Sequence, residues 1–366
     1  MGKIVIVGAG LSGAVLAERY ADKLGKDVLV IEKRNHVAGN CYDYYNEHGL
    51  LVAKYGAHIF HTSYEDVWKY VNRFSKWRSY KHKVLCRVDD KLVPVPVNIV
   101  TVNKLFNLKL ANEEEMGAWL NDNTEKIDNP KNSKEVALSR VGKELYEKMF
   151  KNYTKKQWDK WPSELEASVL ERIPVRMNFN YRYFNDKYEG IPVDGYTRLV
   201  ENMLDNPRIT VKLSTNYFKI KSSIGDFEKM FYTGPIDRFF DHKYDKLEYR
   251  SLRFEFETYN QEYFQKSAVI NYPSSNVLYT RIVEYKRLYN QKHTKTTISK
   301  EYSIADGEPF YPVPNNKNKN IFNKYKKEAK KMKDIFFVGR LANYRYFNMD
   351  QAIKNAFDLF RNIEEK

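Results

Sequence analysis

A short apolar run at 3–7 (Lys-Ile-Val-Ile-Val) leads without a break into Gly8-Ala9-Gly10-Leu11-Ser12-Gly13, and a helix-forming stretch follows from Ala14 to Leu24. A second apolar run, 27–31, ends at Glu32. Strand, glycine turn, helix and strand within about thirty residues make a βαβ unit. In such a unit the first glycine makes the turn, and the second lets the backbone approach a pyrophosphate. The third lets helix and strand pack closely. The helix N-terminus then presents free N–H groups and a positive dipole end to the anion. Glu32 stands where an acid accepts hydrogen bonds from ribose hydroxyls, and it disfavours a 2′-phosphate. Gly8, Gly10, Ser12, Gly13, Glu32 and Lys33 are therefore read as dinucleotide-binding. Gly39 and Asn40 extend the pattern in the manner of FAD-binding proteins, so FAD is expected before NAD.

The rest of the chain is read more coarsely. Residues 64–80 read as helical and aromatic. Residues 83–97 alternate, with Pro94 and Pro96, as an edge strand or hairpin does. Residues 103–170 read as a helical insertion. Strand-like runs return at 209–213, 228–233, 249–257 and 268–272. A lysine-rich amphipathic helix is expected near 315–333, a last buried strand at 335–339, a loop over 340–348 and a closing helix at 349–362. The expected fold is α/β: a discontinuous FAD-binding Rossmann-like domain (1–80, 200–245 and 330–366), a helical domain with a mobile substrate loop (100–170), and a mostly antiparallel sheet domain (81–99, 171–199 and 246–329).

Composition narrows the function. Of 366 residues 42% are hydrophobic and 30% charged, a globular balance without a stretch of about 20 apolar residues, so no membrane span is expected. Two cysteines, Cys41 and Cys86, are too few for a disulfide scaffold or a cysteine zinc site. The chain enters a strand almost at once, without the apolar core of a signal peptide, and a cytoplasmic protein is expected. The net charge of +15 favours an anionic ligand. Nucleic acid is disfavoured, because the basic residues are dispersed apart from the lysines at 324–333 and no binding motif stands out. His58 and His61 form an H-x-x-H pair without a third ligand nearby, so no metal is expected.

Ten segments in order carry a more specific resemblance: VIVGAGLSGAVLAE (5–18), YGAHIFHT (55–62), YTKKQW (153–158), ERIPVR (171–176), YEGIPVDGYTRL (188–199), YTGPID (232–237), EYRSLRF (248–254), YTRIVEYK (279–286), EPFYPV (308–313) and FVGRLANYRYFNMDQAI (337–353). Together they make the chain resemble the bacterial UDP-galactopyranose mutase family. The resemblance implies a redox-neutral isomerase that interconverts UDP-galactopyranose and UDP-galactofuranose. In that chemistry N5 of reduced FAD attacks the anomeric carbon and UDP is the leaving group.

On the same resemblance, Arg172 and Arg281 hold the diphosphate, as a guanidinium fork can. Tyr153, Tyr183, Tyr311 and Tyr346 offer phenolic donors, and Trp158 is the mobile-loop tryptophan. His61 lies beside the flavin with an orienting and electrostatic role, and Arg250 stands near the site. His58, Gly339, Arg340 and Met349 complete the cofactor set. Asn348 stands where the family often has aspartate, and Asn276 and Leu278 where it commonly has Asp and Pro. Sugar identity is therefore open, with a related UDP-sugar such as UDP-N-acetylgalactosamine as the alternative. An FAD-dependent oxidoreductase is a more distant one. An external reductant, NADPH or a flavin reductase, and a homodimer are implied by resemblance alone.

Overall fold

The computed structural model describes residues 2–365. Its centre is a five-stranded parallel sheet in the order Ile209–Lys212, Val28–Ile31, Ile4–Val7, Lys229–Tyr232, Ile335–Phe337. The two strands of the opening unit are β-branched but for Leu29 and mostly buried, as befits strands covered on both faces. Every residue of the helix Leu11–Glu18 is buried. This helix packs against the closing helix Met349–Glu364 and the helix Gly195–Leu204. The sheet thus gathers strands from the start, middle and end of the chain.

The glycine turn permits this packing. A Cβ on Gly13 would sit 2.0 Å from the Gly8 carbonyl oxygen, and one on Gly8, whose φ is +110°, would sit 2.0 Å from Thr233 Oγ1. Neither position has room for a side chain. Gly10 differs, since a Cβ there meets only the Cα of Gly39, 3.7 Å away.

A seven-stranded sheet lies beside this unit, in the order Tyr311–Pro312, Tyr249–Tyr259, Thr296–Ile304, Arg281–Glu284, Val269–Asn271, Val84–Val88, Lys91–Val95. All its pairings are antiparallel except that of Val269–Asn271 with Val84–Val88. Pro94 lies in the edge strand, where a missing N–H donor costs least. The helical stretch begins at Ile99. Asn98, Asn112 and Asn132 cap successive helices, each side chain accepting the N–H three residues on. Among the described residues no helix is long and apolar enough to cross a membrane.

Two expectations are corrected. Residues 64–80 are not one helix: Glu65–Val71 is helical, but Trp77–Ser79 is a strand. Trp77 packs against Phe60 and Trp68, with ring centroids 5.0 and 5.2 Å away, and this aromatic cluster outweighs helical spacing. Nor does the whole of 171–199 join the antiparallel sheet. Tyr188–Pro192 pairs with Phe60–Thr62 and Trp77–Ser79 in a separate three-stranded sheet. The helix that follows is fixed by Asp43, whose two carboxylate oxygens accept the N–H groups of Tyr196 and Thr197 at 2.8 Å each. A remote carboxylate thus satisfies donors that a helix leaves open at its start.

Candidate active site

Two cavities meet along the C-terminal edge of the parallel sheet, where an open α/β sheet binds ligands. His58, Arg340, Asn348 and Met349 line both.

The first cavity, about 230 Å³, is lined by Gly8, Gly10, Ser12, Gly13, Glu32, Lys33, Gly39, Asn40, His58, Gly339, Arg340 and Met349, the whole set read as cofactor-binding. Gly10 begins the helix Leu11–Glu18 without a side-chain cap, which leaves the first N–H groups of the helix for an anion. Gly39, with φ +55°, brings its backbone so close that a Cβ on it would sit 3.0 Å from Gly10 Cα. Glu32 is buried. Its Oε2 accepts the Ala9 N–H at 2.8 Å and its Oε1 accepts the Arg34 N–H at 2.9 Å. Each oxygen keeps a lone pair for a ribose hydroxyl. Lys33 pairs with Glu308. Arg34, next to Lys33 in the FAD-like extension, lines the same cavity, and sequence reasoning missed Tyr217, Phe218 and Arg238, which reach it from segments without a local motif.

The second cavity, about 210 Å³, is lined by Arg172, Arg281 and Arg340, by His58, His61 and His82, and by Tyr153, Tyr183, Tyr311 and Tyr346, with Trp158 and Asn348 also on its wall. Among the described residues no Asp or Glu lines it. Arg172 Nε donates to the Val169 carbonyl at 3.2 Å, and its guanidinium lies 4.4 Å from the centre of the Tyr346 ring. Arg281 Nε contacts Glu301 Oε2 at 2.6 Å. Arg340 donates to the Phe347 and Phe310 carbonyls. Tyr311 and Tyr346 stack with centroids 5.5 Å apart, and Trp158 meets both edge-on.

These contacts move the titrations. Burial pushes the Tyr346 phenol up, but Arg172, Arg340 and Arg281 outweigh burial and bring it down to about 8. Burial raises Tyr311 and Tyr153. For Arg172 and Arg281 burial works to lower the guanidinium. The surrounding phenols, and for Arg281 first of all Glu301, hold both well above the ordinary value. Burial lowers His58 to about 4 despite its Nδ1 contact with the Gly56 carbonyl at 2.9 Å, so His58 is neutral.

His61 differs from His58. Its Nδ1 lies 2.8 Å from Asp186 Oδ2, its ring stacks on Phe184 at 3.6 Å, and Ser63 donates to Asp186 Oδ1 at 3.0 Å. With Nδ1 facing a carboxylate, the neutral ring keeps Nε2 as its acceptor. Asp186 carries no local signal, because the pair spans 125 residues of sequence. Arg250 is the one expected site residue set apart. It lines a neighbouring cavity of about 580 Å³, which shares Trp158 with the second. Its Nε contacts Ser303 Oγ at 3.2 Å, and its Nη1 lies 3.8 Å from Asp159.

A glycine-cradled cavity on a parallel sheet, opening into a second cavity rich in arginine, defines a Rossmann-like enzyme that handles a nucleotide. Comparison with known proteins narrows this. The model of an NAD(P)-binding Rossmann-like domain matches residues 6–74, and that of UDP-galactopyranose mutase matches residues 148–346. A probable UDP-galactopyranose mutase of Klebsiella pneumoniae is 41% identical over 96% of this chain and 92% of its own. A dTDP-fucopyranose mutase of Escherichia coli is 38% identical over 98% and 97%. A crystal structure of reduced UDP-galactopyranose mutase superposes with a TM-score of 0.78 over 100% of this chain and 94% of its own, at 15% identity. The chain belongs to the UDP-galactopyranose mutase family.

Proposed function

We propose that the protein interconverts UDP-galactopyranose and UDP-galactofuranose without net redox change, with FAD in the first cavity and the UDP-sugar in the second. The carrying observation is the second cavity's lining of three guanidinium groups without a carboxylate, directly joined to a dinucleotide cradle. FAD suits the first cavity because Gly10 and Gly39 leave bare backbone where a pyrophosphate needs it, beside an uncapped helix N-terminus, while Gly8 and Gly13 allow the turn and the close packing behind it. When bound and reduced, FAD supplies a nucleophilic nitrogen for the anomeric carbon.

The chain's own residues do the rest. Arg172 and Arg281 bind diphosphate oxygens and stabilise the charge that develops as UDP leaves. Tyr153, Tyr183, Tyr311 and Tyr346 donate phenolic hydrogen bonds to those oxygens. Trp158 closes the cavity over the ligand and excludes water. His61, held by Asp186, presents an acceptor nitrogen to the second cavity. Asn348, on both walls, meets the sugar with one donor and one acceptor where a carboxylate would bring charge. Arg250 orients the Asp159 end of the helix that carries Trp158. In domain terms, the parallel-sheet unit holds the flavin, while the helical stretch and the seven-stranded sheet supply the walls of the sugar cavity. An external reductant such as NADPH or a flavin reductase keeps the flavin active, and a cytoplasmic homodimer completes the reading.

A second reading follows from the Escherichia coli relative. That protein's name gives its substrate as a dTDP-sugar, and it matches this chain along almost its full length. A panel of UDP-galactose, UDP-N-acetylgalactosamine and dTDP-fucose, pyranose and furanose forms, assayed on dithionite-reduced enzyme, tests both. UDP-galactofuranose is expected to turn over fastest. Turnover of none of them, or net consumption of oxygen or reductant per turnover, overturns the mutase reading.

A further inference from the structure

The helix Asn152–Trp158 carries Tyr153 and Trp158 into the second cavity, and Lys156 lies between them. The Lys156 ammonium points away from that cavity, into a loop. It contacts the carbonyl oxygens of Tyr272, Ser274, Val277 and Tyr279, the last three at 3.0, 2.8 and 3.1 Å. Four acceptors share three N–H donors. Among the described residues Lys156 forms no ion pair with a carboxylate. Main-chain dipoles alone replace the water an ammonium ordinarily holds.

The four carbonyls belong to one loop, the connection between the strands Val269–Asn271 and Arg281–Glu284. Its base is closed by the Tyr272 N–H on the Thr280 carbonyl at 2.9 Å and the Thr280 N–H on the Glu301 carbonyl at 2.8 Å, and few other bonds hold the turn between them. Val277 N–H reaches the Ser274 carbonyl at 3.3 Å, Asn276 N–H reaches Ser274 Oγ at 3.2 Å, and Leu278 is 79% exposed. Its far end runs directly into Arg281. One cation thus ties the helix of Tyr153 and Trp158 to the segment that places Arg281, and these three side chains face each other across one cavity.

We propose that Lys156 is a positioning residue whose ammonium, gripping the carbonyls of the 272–279 loop, sets the spacing of Tyr153, Trp158 and Arg281 across the second cavity and thereby the affinity for a nucleoside diphosphate. The proposal rests on the nucleotide-sugar reading above. A charge-assisted hydrogen-bond set of this kind, lost at one point, translates into about a tenfold change in binding.

The test uses FAD-loaded wild-type enzyme and Lys156→Met, with UDP binding measured by calorimetry, KM and kcat measured on the reduced enzyme, and thermal unfolding measured on both. The expected result is UDP binding and KM weakened about tenfold, kcat within about twofold and an unfolding midpoint within a few degrees. Wild-type UDP affinity in Lys156→Met overturns the proposal. So does a joint fall of kcat and melting temperature, which marks a merely structural lysine. If Lys156→Met does not fold, Lys156→Gln, which retains a donor, takes its place; failure of both to fold overturns the positioning role. Absence of UDP binding in the wild type instead removes the nucleotide-sugar reading, and the proposal with it.

Discussion

Tyr346 offers the most direct test of the site's electrostatics. A phenol ordinarily titrates near 10, and burial alone moves it higher. Here the guanidinium groups of Arg172, Arg340 and Arg281 bring Tyr346 to about 8 while the stacked Tyr311 moves up, so the pair loses its first proton far earlier than its second. Two decades correspond to about 3 kcal/mol of net preference for the phenolate. Arg172 is the nearest of the three, 4.4 Å from the ring centre. At that range and an effective dielectric of about 20, a unit charge contributes roughly 4 kcal/mol, more than the whole net effect. Arg172→Met is therefore expected to return the first ionisation to about 10 or above.

The assay is the ultraviolet difference band of phenolate in oxidised, FAD-loaded enzyme without substrate, followed from about pH 7 to about pH 9, one unit either side of the expected midpoint. Wild type should show a one-tyrosine component centred near 8, and Tyr346→Phe should lack it. The kinetic consequence has a definite sign. Below the midpoint the neutral phenol donates to a diphosphate oxygen. Above it the donor is gone and a negative charge faces the anion, so KM rises with pH. Lys156, whose amine burial lowers to about 8, titrates in the same window, and Tyr346→Phe separates the two sources. A difference band that is absent from wild type below about pH 9, or that persists in Tyr346→Phe or Arg172→Met, refutes the reasoning.

Arg281→Ala should lower kcat/KM at least about a hundredfold with the flavin spectrum intact, and Glu301→Gln, which keeps a hydrogen-bond partner for Arg281, about tenfold, both read by steady-state kinetics. Asp186→Asn should cut kcat about tenfold in steady-state kinetics, because the amide no longer fixes which His61 nitrogen faces the cavity; a kcat identical to wild type would count against the dyad. Gly13→Ala and Gly10→Ala should part company. The first forces a Cβ against the Gly8 carbonyl and should give poorly folded protein. The second has room, so it should fold with a near-normal unfolding midpoint yet bind FAD at least about tenfold more weakly by fluorescence titration, because the new methyl occupies the pyrophosphate approach.

The opening unit was legible because its signal is local: apolar runs and glycine spacing within thirty residues specify a strand, a turn and a helix before any tertiary contact forms. The long closing helix and the edge hairpin with its prolines were legible for the same reason. Strands of three residues, such as Asp43–Tyr45, Leu51–Ala53 and Phe60–Thr62, were not, since three residues cannot display a period of two. The walls of the second cavity come from segments as distant as His61 and Tyr346, and no local pattern unites them. Only resemblance to a family placed Arg172, Arg281 and the tyrosines together. It gave no sign of Asp186, whose importance arises from one contact across the fold, nor of the distance between Arg250 and the cavity its neighbours line.

The charge that matters is set by how the arginines are partnered rather than by the excess of +15. Charges spread over solvated faces are screened within about 8 Å at physiological ionic strength, whereas those on the wall of an enclosed cavity act on whatever enters it. Among the described residues, Arg281 alone of the three cavity arginines has a carboxylate partner, the buried Glu301. Arg172 and Arg340 are oriented by main-chain carbonyls and phenols. A carboxylate would fix a guanidinium equally well, but it would cancel its charge and would have to be outcompeted by each arriving anion. Carbonyls and neutral phenols hold the fork in place while leaving its charge unspent, and the phenols add donors of their own. On the proposed function, two uncompensated guanidinium groups match the charge of a diphosphate that is about to leave a sugar. Substituting a carboxylate for either Tyr311 or Tyr346 would therefore damage the site more than removing the hydroxyl, because it would supply internally the very anion the cavity is shaped to receive.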